Sequence, residues 1–200
     1  MNILNLYAGI GGNRRLWGNE YNITAVEYDK NIANIYESFY PNDTMIIGDA
    51  HQYLLDHFSE YDFIWSSPPC PSHSRLRIVD VICGRSKPIY PDMKLYEEIL
   101  FLSKYFKGKY CVENVISWYK PLIKPYQIGR HYYWANFAIP ENKKRKNEFI
   151  KIGTIKEKME SKGIDISMFK GINKKRVLNN MVNSEDALTI LNYAIKSMSI

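Results

Sequence analysis

Apolar and polar positions alternate along the first half of the chain in two rhythms. Short apolar runs at Asn2–Tyr7, Ile23–Glu27, Thr44–Ile47, Tyr61–Trp65 and Tyr110–Val115 predict strands. Between them the spacing changes. Ile32, Ile35, Tyr36 and Phe39 recur at helical intervals across Asn31–Phe39, and His51–Phe58 predicts a second helix. Asp92–Phe106 carries the clearest helical signal. Pro91 interrupts what precedes it, Asp92 suits the cap, and Leu95, Ile99, Leu102 and Phe106 share one face. Strands alternating with helices in this way predict a mostly parallel sheet covered on both faces, an α/β Rossmann-like fold. In such sheets ligands bind beyond the carboxyl ends of the strands, where strand order reverses.

The pattern weakens after Val115. His131–Ile139 reads as one more strand, and Glu141–Asn173 is basic and poorly periodic. Asn183–Met198 is an amphipathic helix with Ala187, Leu188, Leu191, Ala194, Ile195 and Met198 on its buried stripe. The expected organisation is a catalytic and cofactor-binding body over residues 1–140, a reduced basic recognition segment over 141–176, and a helix over 177–200 returning to the body.

Composition narrows the class. At 200 residues, 46% hydrophobic and 14% aromatic, the chain suits one soluble globular domain. No apolar run reaches the roughly 20 residues that span a bilayer. No signal peptide is recognised, so the expected setting is cytoplasmic, without a membrane partner. Three cysteines (Cys70, Cys83 and Cys111) at unrelated spacings imply no disulfide framework, as a reducing cytosol requires. The net charge of +6 is uneven: Glu141–Arg176 holds 12 Lys/Arg against 5 Asp/Glu. Such a segment suits a phosphate backbone, although a solvated lysine-rich face gives the same composition.

Candidate chemistry sits at the predicted strand ends. The first strand runs into Tyr7-Ala8-Gly9-Ile10-Gly11-Gly12, where glycines permit a sharp turn and close approach of a ligand to the backbone. The second ends at Glu27, placed to accept from ribose hydroxyls. The third ends at Gly48-Asp49-Ala50, where Asp49 suits either an adenine amino group or a helix cap. As an ordered set, the loop and the two acids specify a pocket for an adenosine-bearing cofactor.

The fourth strand leads into Ser67-Pro68-Pro69-Cys70-Pro71-Ser72-His73-Ser74. Three prolines stiffen the chain around one thiol, a setting for a covalent nucleophile. A zinc cluster of Cys70, His73, Cys83 and Cys111 is the competing reading, but the spacings match no usual ligand pattern, so no metal is expected. Glu113 closes the fifth strand in Val112-Glu113-Asn114-Val115. An acid emerging from an apolar strand either binds something or takes a raised pKa, as a general acid needs.

Taken together, these residues resemble the cytosine-5 DNA methyltransferases. Asn5–Gly12, Val26–Asp29, Gly48–Ala50, Ser66–Ser74 and Val112–Val115 are similar to that family's motifs, in the family's order. Gly129–Phe137 resembles a shortened arginine motif and Leu178–Asn183 the last cofactor-side motif. The resemblance implies a class I S-adenosylmethionine methyltransferase fold with a very small recognition region. It implies that Cys70 adds to carbon 6 of cytosine, that Glu113 holds or protonates nitrogen 3, and that Arg130 contacts the base oxygen. S-adenosyl-L-methionine would be held by Tyr7, Ala8, Gly9, Gly11, Gly12, Glu27, Tyr28, Asp49, Ala50, Pro69 and Asn180. Double-stranded DNA would meet Ser74, Arg75, Arg77, Arg85 and Lys87 after the nucleophile loop, and Lys143, Lys144, Arg145 and Lys146 in the basic segment.

The sequence departs from the family in three places. Pro71 replaces the glutamine after the Pro-Cys pair, His131 stands where a second arginine is usual, and the recognition region shrinks to about Glu141–Asn173. The expected setting is a bacterial or phage-infected cell, in a phage or restriction role, with a protein partner or second copy supplying specificity. Methylation of RNA cytosine is the alternative that keeps the chemistry. A catalytically silent nucleic-acid or cofactor-binding module is the alternative that abandons it. Neutralising Lys143, Lys144, Arg145 and Lys146 together is expected to weaken duplex binding and flatten its dependence on salt, read as the slope of log affinity against log salt. An unchanged slope would remove that segment from the interface.

Overall fold

The computed structural model describes residues 1–139 and 153–198. Lys143, Lys144, Arg145 and Lys146 lie outside the described residues. Within them, seven strands form one sheet: β1 (Asn2–Leu6), β2 (Asn22–Glu27), β3 (Thr44–Ile47), β4 (Phe63–Ser66), β5 (Lys109–Val115), β6 (Tyr126–Ile128) and β7 (His131–Ala135). Their order is β3-β2-β1-β4-β5-β7-β6. The first five are parallel, and β7 and β6 run antiparallel. The helices are α1 (Lys30–Phe39), α2 (Ala50–His57), α3 (Arg75–Ile82), α4 (Lys94–Tyr105), α5 (Ile155–Lys162), α6 (Lys174–Asn179) and α7 (Ser184–Met198).

The central strands are apolar on both sides because both faces are covered. Ile3, Phe63, Trp65, Cys111 and Tyr133 point to one face, where Ala187, Ile190, Leu191 and Ala194 of α7 cover them together with Trp17. Their alternating neighbours Leu4, Leu6, Ile64, Val112 and Trp134 point to the other, against Leu54 of α2 and Leu95, Ile99 and Leu102 of α4. A third cluster joins Ile10 and Ile35 to Ile164, Ile166 and Leu178, so the chain after residue 153 shares a core with α1. The mostly parallel sheet with helices on both faces is the predicted Rossmann-like architecture.

Several local expectations change. Strand β1 stops at Leu6 because Tyr7 turns into the left-handed region, with φ of 55°. Helix α4 begins at Lys94, two residues late, and Asp92 accepts from the Lys94 N–H at 3.1 Å. The stretch after the nucleophile loop forms α3, which has no buried residue and so leaves no helical burial stripe to read. Helix α5 emerges from the segment read as irregular. A capping box fixes its start, with the Thr154 side chain accepting from the Glu157 N–H and the Glu157 carboxylate accepting from Thr154 N–H. In α7 the stripe rotates slightly: Ile190 is fully buried, whereas Met198 is exposed.

Gly12 marks where the C-terminal segment closes onto the first loop. A Cβ there would lie 2.9 Å from the Val182 carbonyl oxygen and 3.0 Å from its nitrogen, both backbone atoms that cannot swing aside. Gly12→Ala is expected to destabilise the fold by about 1–3 kcal/mol, lowering Tm by several degrees. A thermal melt unchanged by the substitution would contradict this packing.

Candidate active site

Strand β1 is hydrogen-bonded to β2 on one side and β4 on the other, so the strand order reverses there. Loops leaving the carboxyl ends of β1 and β4 therefore diverge and open a crevice. Register sets what faces it. Leu6 pairs with Ser66 and Ser66 with Val112, which brings Tyr7, Ser67 and Glu113 to one level. A cavity of ≈ 680 Å³ occupies this position. The glycine loop, the ends of β2 and β3, the Pro-Pro-Cys loop, the end of β5 and residues 171–182 wall it.

Glu27 braces the first wall. Its Oε2 accepts from the Gly9 N–H at 2.9 Å and its Oε1 from the Asp29 N–H at 3.0 Å, tying the glycine loop to the start of α1. Tyr28 stands beside it with 81% of its surface free. Asp49 is both a cap and a lining residue. Its Oδ1 accepts from the His51 N–H at 2.9 Å, while Oδ2 lies 3.8 Å from Lys94 Nζ.

Behind this wall Glu98 of α4 is 1% exposed and gathers the ends of β1 and β4 and the first turn of α2. Its Oε1 accepts from the Tyr7 hydroxyl at 2.6 Å and meets His51 Nδ1 at 3.0 Å, and Oε2 accepts from Ser66 Oγ at 2.5 Å. Burial, then the Glu98 charge, pushes the Tyr7 hydroxyl far above its ordinary range. The hydrogen bond to Glu98 raises the pKa of His51, favouring its charged form.

Cys70 and Glu113 line the same cavity. The Cys70 carbonyl accepts from the His73 and Ser74 N–H groups at 3.0 and 3.1 Å, forming the turn that starts α3. Asn114 Nδ2 donates to the Pro68 carbonyl at 3.0 Å, pinning this loop to β5. The other side of the loop is fixed by Trp118 Nε1 donating to the Ser72 carbonyl at 3.0 Å, and by His73 Nδ1 at 2.6 Å from the Tyr119 hydroxyl. Burial raises the Cys70 thiol pKa, with Glu113 adding to the shift and Arg176 opposing it. Burial likewise raises the Glu113 carboxyl, opposed by His131, whose Nε2 lies 3.7 Å from Glu113 Oε1.

The cavity collects Tyr7, Ala8, Gly9, Gly12, Glu27, Tyr28, Asp49, Ala50, Pro69 and Asn180 of the expected cofactor set. Gly11 lies outside the lining, under the Tyr40 ring. Arg130 is exposed in the β6–β7 turn and does not line the cavity; the neighbouring His131 does. Ser74 caps α3, its Oγ accepting from the Leu76 N–H at 3.2 Å. Arg75 Nε donates to the Ser117 carbonyl, Arg77 Nη2 to the Lys87 carbonyl, and Arg85 pairs with Asp80 at 2.8 Å. None of these five residues after Cys70 lines the cavity. Cys83 is exposed and Cys111 buried within β5, apart from Cys70. Among the described residues no group of three or more His, Cys, Asp or Glu is placed to hold a metal, and no helix is long and apolar enough to cross a membrane. Sequence reasoning missed Lys94, Glu98, His131 and Arg176.

A sequence profile of the C-5 cytosine-specific DNA methylases matches residues 1–83, from β1 through α3. Among solved structures, the chain is similar to a mutant of Spodoptera frugiperda DNMT2, with 23% identity and a TM-score of 0.41 over 57% of this chain and 35% of that one. It is also similar to a putative DNA modification methyltransferase encoded within an Escherichia coli prophage, with 18% identity and a TM-score of 0.38 over 60% and 33%. Similarity extends to the putative methyltransferase yhhF from Escherichia coli, with 13% identity and a TM-score of 0.37 over 67% and 73%. The chain covers about a third of the length of the first two. A search of curated proteins finds no match.

The sheet order, reversing at β1 with helices on both faces, is that of the class I Rossmann-like fold of S-adenosylmethionine-dependent methyltransferases. Within that class, the chain is related over its first 83 residues to the C-5 cytosine-specific DNA methylases.

The residues present fit the cofactor. The cavity lies within the range of ligand pockets, and the space a Gly9 side chain would fill is open. Glu27 and Asp49 supply acceptors, and Tyr28 an exposed aromatic face. Because Glu98 fixes the ends of this wall, Glu98→Gln turns an acceptor for three donors into a group with donors of its own. The expected cost is about 1–3 kcal/mol, seen as a Tm lower by several degrees in a thermal melt. A Tm equal to wild type would show that the three donors find other partners.

Proposed function

We propose that the chain transfers a methyl group from S-adenosylmethionine to carbon 5 of cytosine in double-stranded DNA, with Cys70 as covalent nucleophile. The observation that carries this reading is that Cys70 and Glu113 share one cavity with the glycine loop, Glu27 and Asp49.

The cytosine ring is aromatic and carbon 5 is a weak nucleophile. The target base first leaves the helix stack, at a cost of about a few kcal/mol. The Cys70 thiolate donates its electron pair to carbon 6, forming a carbon–sulfur bond, while the Glu113 carboxyl gives its proton to nitrogen 3. Electrons pushed out of the 5,6 double bond make carbon 5 nucleophilic. Glu27, Asp49, Tyr28 and the glycine loop would hold S-adenosylmethionine, whose sulfonium would supply the electrophilic methyl to carbon 5 as its carbon–sulfur bond breaks, leaving the neutral thioether S-adenosylhomocysteine. Cys70 then leaves as a thiolate while carbon 5 loses its proton to a water molecule, restoring the double bond, and nitrogen 3 returns its proton to the Glu113 carboxylate. Burial favours the protonated carboxyl at Glu113, as this role requires. The same burial disfavours the thiolate at Cys70, so the nucleophile depends on nearby positive charge.

The test uses cytosine fluorinated at carbon 5, which cannot lose a proton there. Incubation with S-adenosylmethionine and a library of fluorinated duplexes is expected to give a covalent adduct stable to denaturation, and Cys70→Ala to abolish it. Adducts on RNA alone would move the substrate class. Absence of adducts on both, with S-adenosylhomocysteine still bound, would leave a cofactor-binding module.

A further inference from the structure

The cavity is lined by five carboxyl groups, Glu27, Asp29, Asp49, Asp92 and Glu113, against two permanent cations, Lys94 and Arg176. A nucleotide entering it brings a phosphate, and a surface of this sign repels one. Lys94 already faces Asp49 at 3.8 Å, at the wall of the β3 end. Arg176 has no ion-pair partner among the described residues. It lines the same cavity as Cys70 and Glu113, and its charge counters part of the burial-driven rise of the Cys70 thiol pKa.

Arg176 is also held on a fixed support. Helix α6 is anchored through Leu178, fully buried beside Ile10 and Ile35. Asn173 caps the helix by accepting the Arg176 N–H at 3.0 Å. This leaves the side chain to act. A guanidinium presents paired donors that match two phosphate oxygens, which a lysine does not reproduce.

We infer that Arg176 is a substrate-binding residue whose guanidinium takes a phosphate flanking the everted cytosine, in the cavity that Cys70 lines. The inference rests on the methyltransferase reading above and adds the residue that admits a polyanion to an acidic cavity. The same positive charge favours the Cys70 thiolate, so substrate binding and nucleophile activation draw on one group.

Two measurements test it. In the first, a duplex that forms the fluorocytosine adduct is remade with ordinary cytosine opposite an abasic site. The two phosphates flanking that cytosine are either natural or replaced by neutral methylphosphonates. Binding is read by fluorescence anisotropy with S-adenosylhomocysteine present. The wild-type protein is expected to lose about tenfold to a hundredfold in affinity for the methylphosphonate duplex, the size of one charge-assisted contact. Arg176→Met should show that loss on the natural duplex and bind both duplexes equally. Methylphosphonate sensitivity undiminished in Arg176→Met overturns the inference.

The second measurement needs no DNA. In a Cys83→Ser background, the rate of Cys70 alkylation by iodoacetamide is followed against pH. Arg176→Met is expected to move the profile to higher pH, and Arg176→Lys to keep it near wild type. An unmoved profile in Arg176→Met overturns the placement of Arg176 beside the thiol. Failure of the wild-type protein to bind any duplex counts instead against DNA as the substrate.

Discussion

The register between β1, β4 and β5 is the constraint on which the site depends. Leu6, Ser66 and Val112 lie side by side, so the next residues of three strands, distant in the chain, emerge at one level. A slip of one residue in either ladder turns alternate side chains to the opposite face of the sheet. It would separate Tyr7, Ser67 and Glu113 and bury different residues against α4 and α7. Glu98 reinforces the register from the α4 side by bonding to Tyr7 at one strand end and Ser66 at another. A buried carboxylate with three donors is stable only where those donors already converge. The hub and the register thus require each other.

A second constraint is electrostatic. Cys70 and Glu113 oppose one another as anions, and burial penalises the charge on each. A thiolate beside a neutral carboxyl is therefore favoured in this cavity over two simultaneous anions. The surroundings divide accordingly. His131 faces Glu113, and the Arg176 charge counters part of the rise at Cys70. Asn114, next to Glu113 in the chain, anchors the loop that carries Cys70, so one strand end sets the position of both groups.

Much of this was legible in the sequence because it is local. A strand, a turn and a helix start within about ten residues of one another. The glycine loop, Glu27, Asp49, Cys70 and Glu113 each mark a strand end. The unread features are those whose signal lies elsewhere in the chain. Glu98 looks like one more acid on an amphipathic helix, and only the strand ends opposite it make it a buried hub. Arg176 sits in a basic stretch whose composition suits a solvated face equally well. Helix α3 buries nothing, and its exposed Leu76, Val79 and Ile82 give no core stripe. The Thr154–Glu157 capping box was a readable start signal for α5, hidden by the weak periodicity around it. Arg130 and His131 differ by one position. Residue 131 begins β7 opposite Val115, while residue 130 is still in the turn.

The packing also explains why the glycine loop and the segment carrying Arg176 wall a single cavity. Ile164, Ile166 and Leu178 share a core with Ile10 of the glycine loop, and Val182 backbone lies against Gly12. The segment that delivers Arg176 is therefore fastened to the loop that forms the first wall, and the two cannot move apart without opening a hydrophobic cluster. Helix α7 then carries the chain beneath β1 and β4, where Ile190 and Leu191 meet Ile3 and Trp65. Closure of the site and closure of the core are consequently one packing event. The acidic cavity keeps its arginine because removing that segment would also uncover the sheet's first loop.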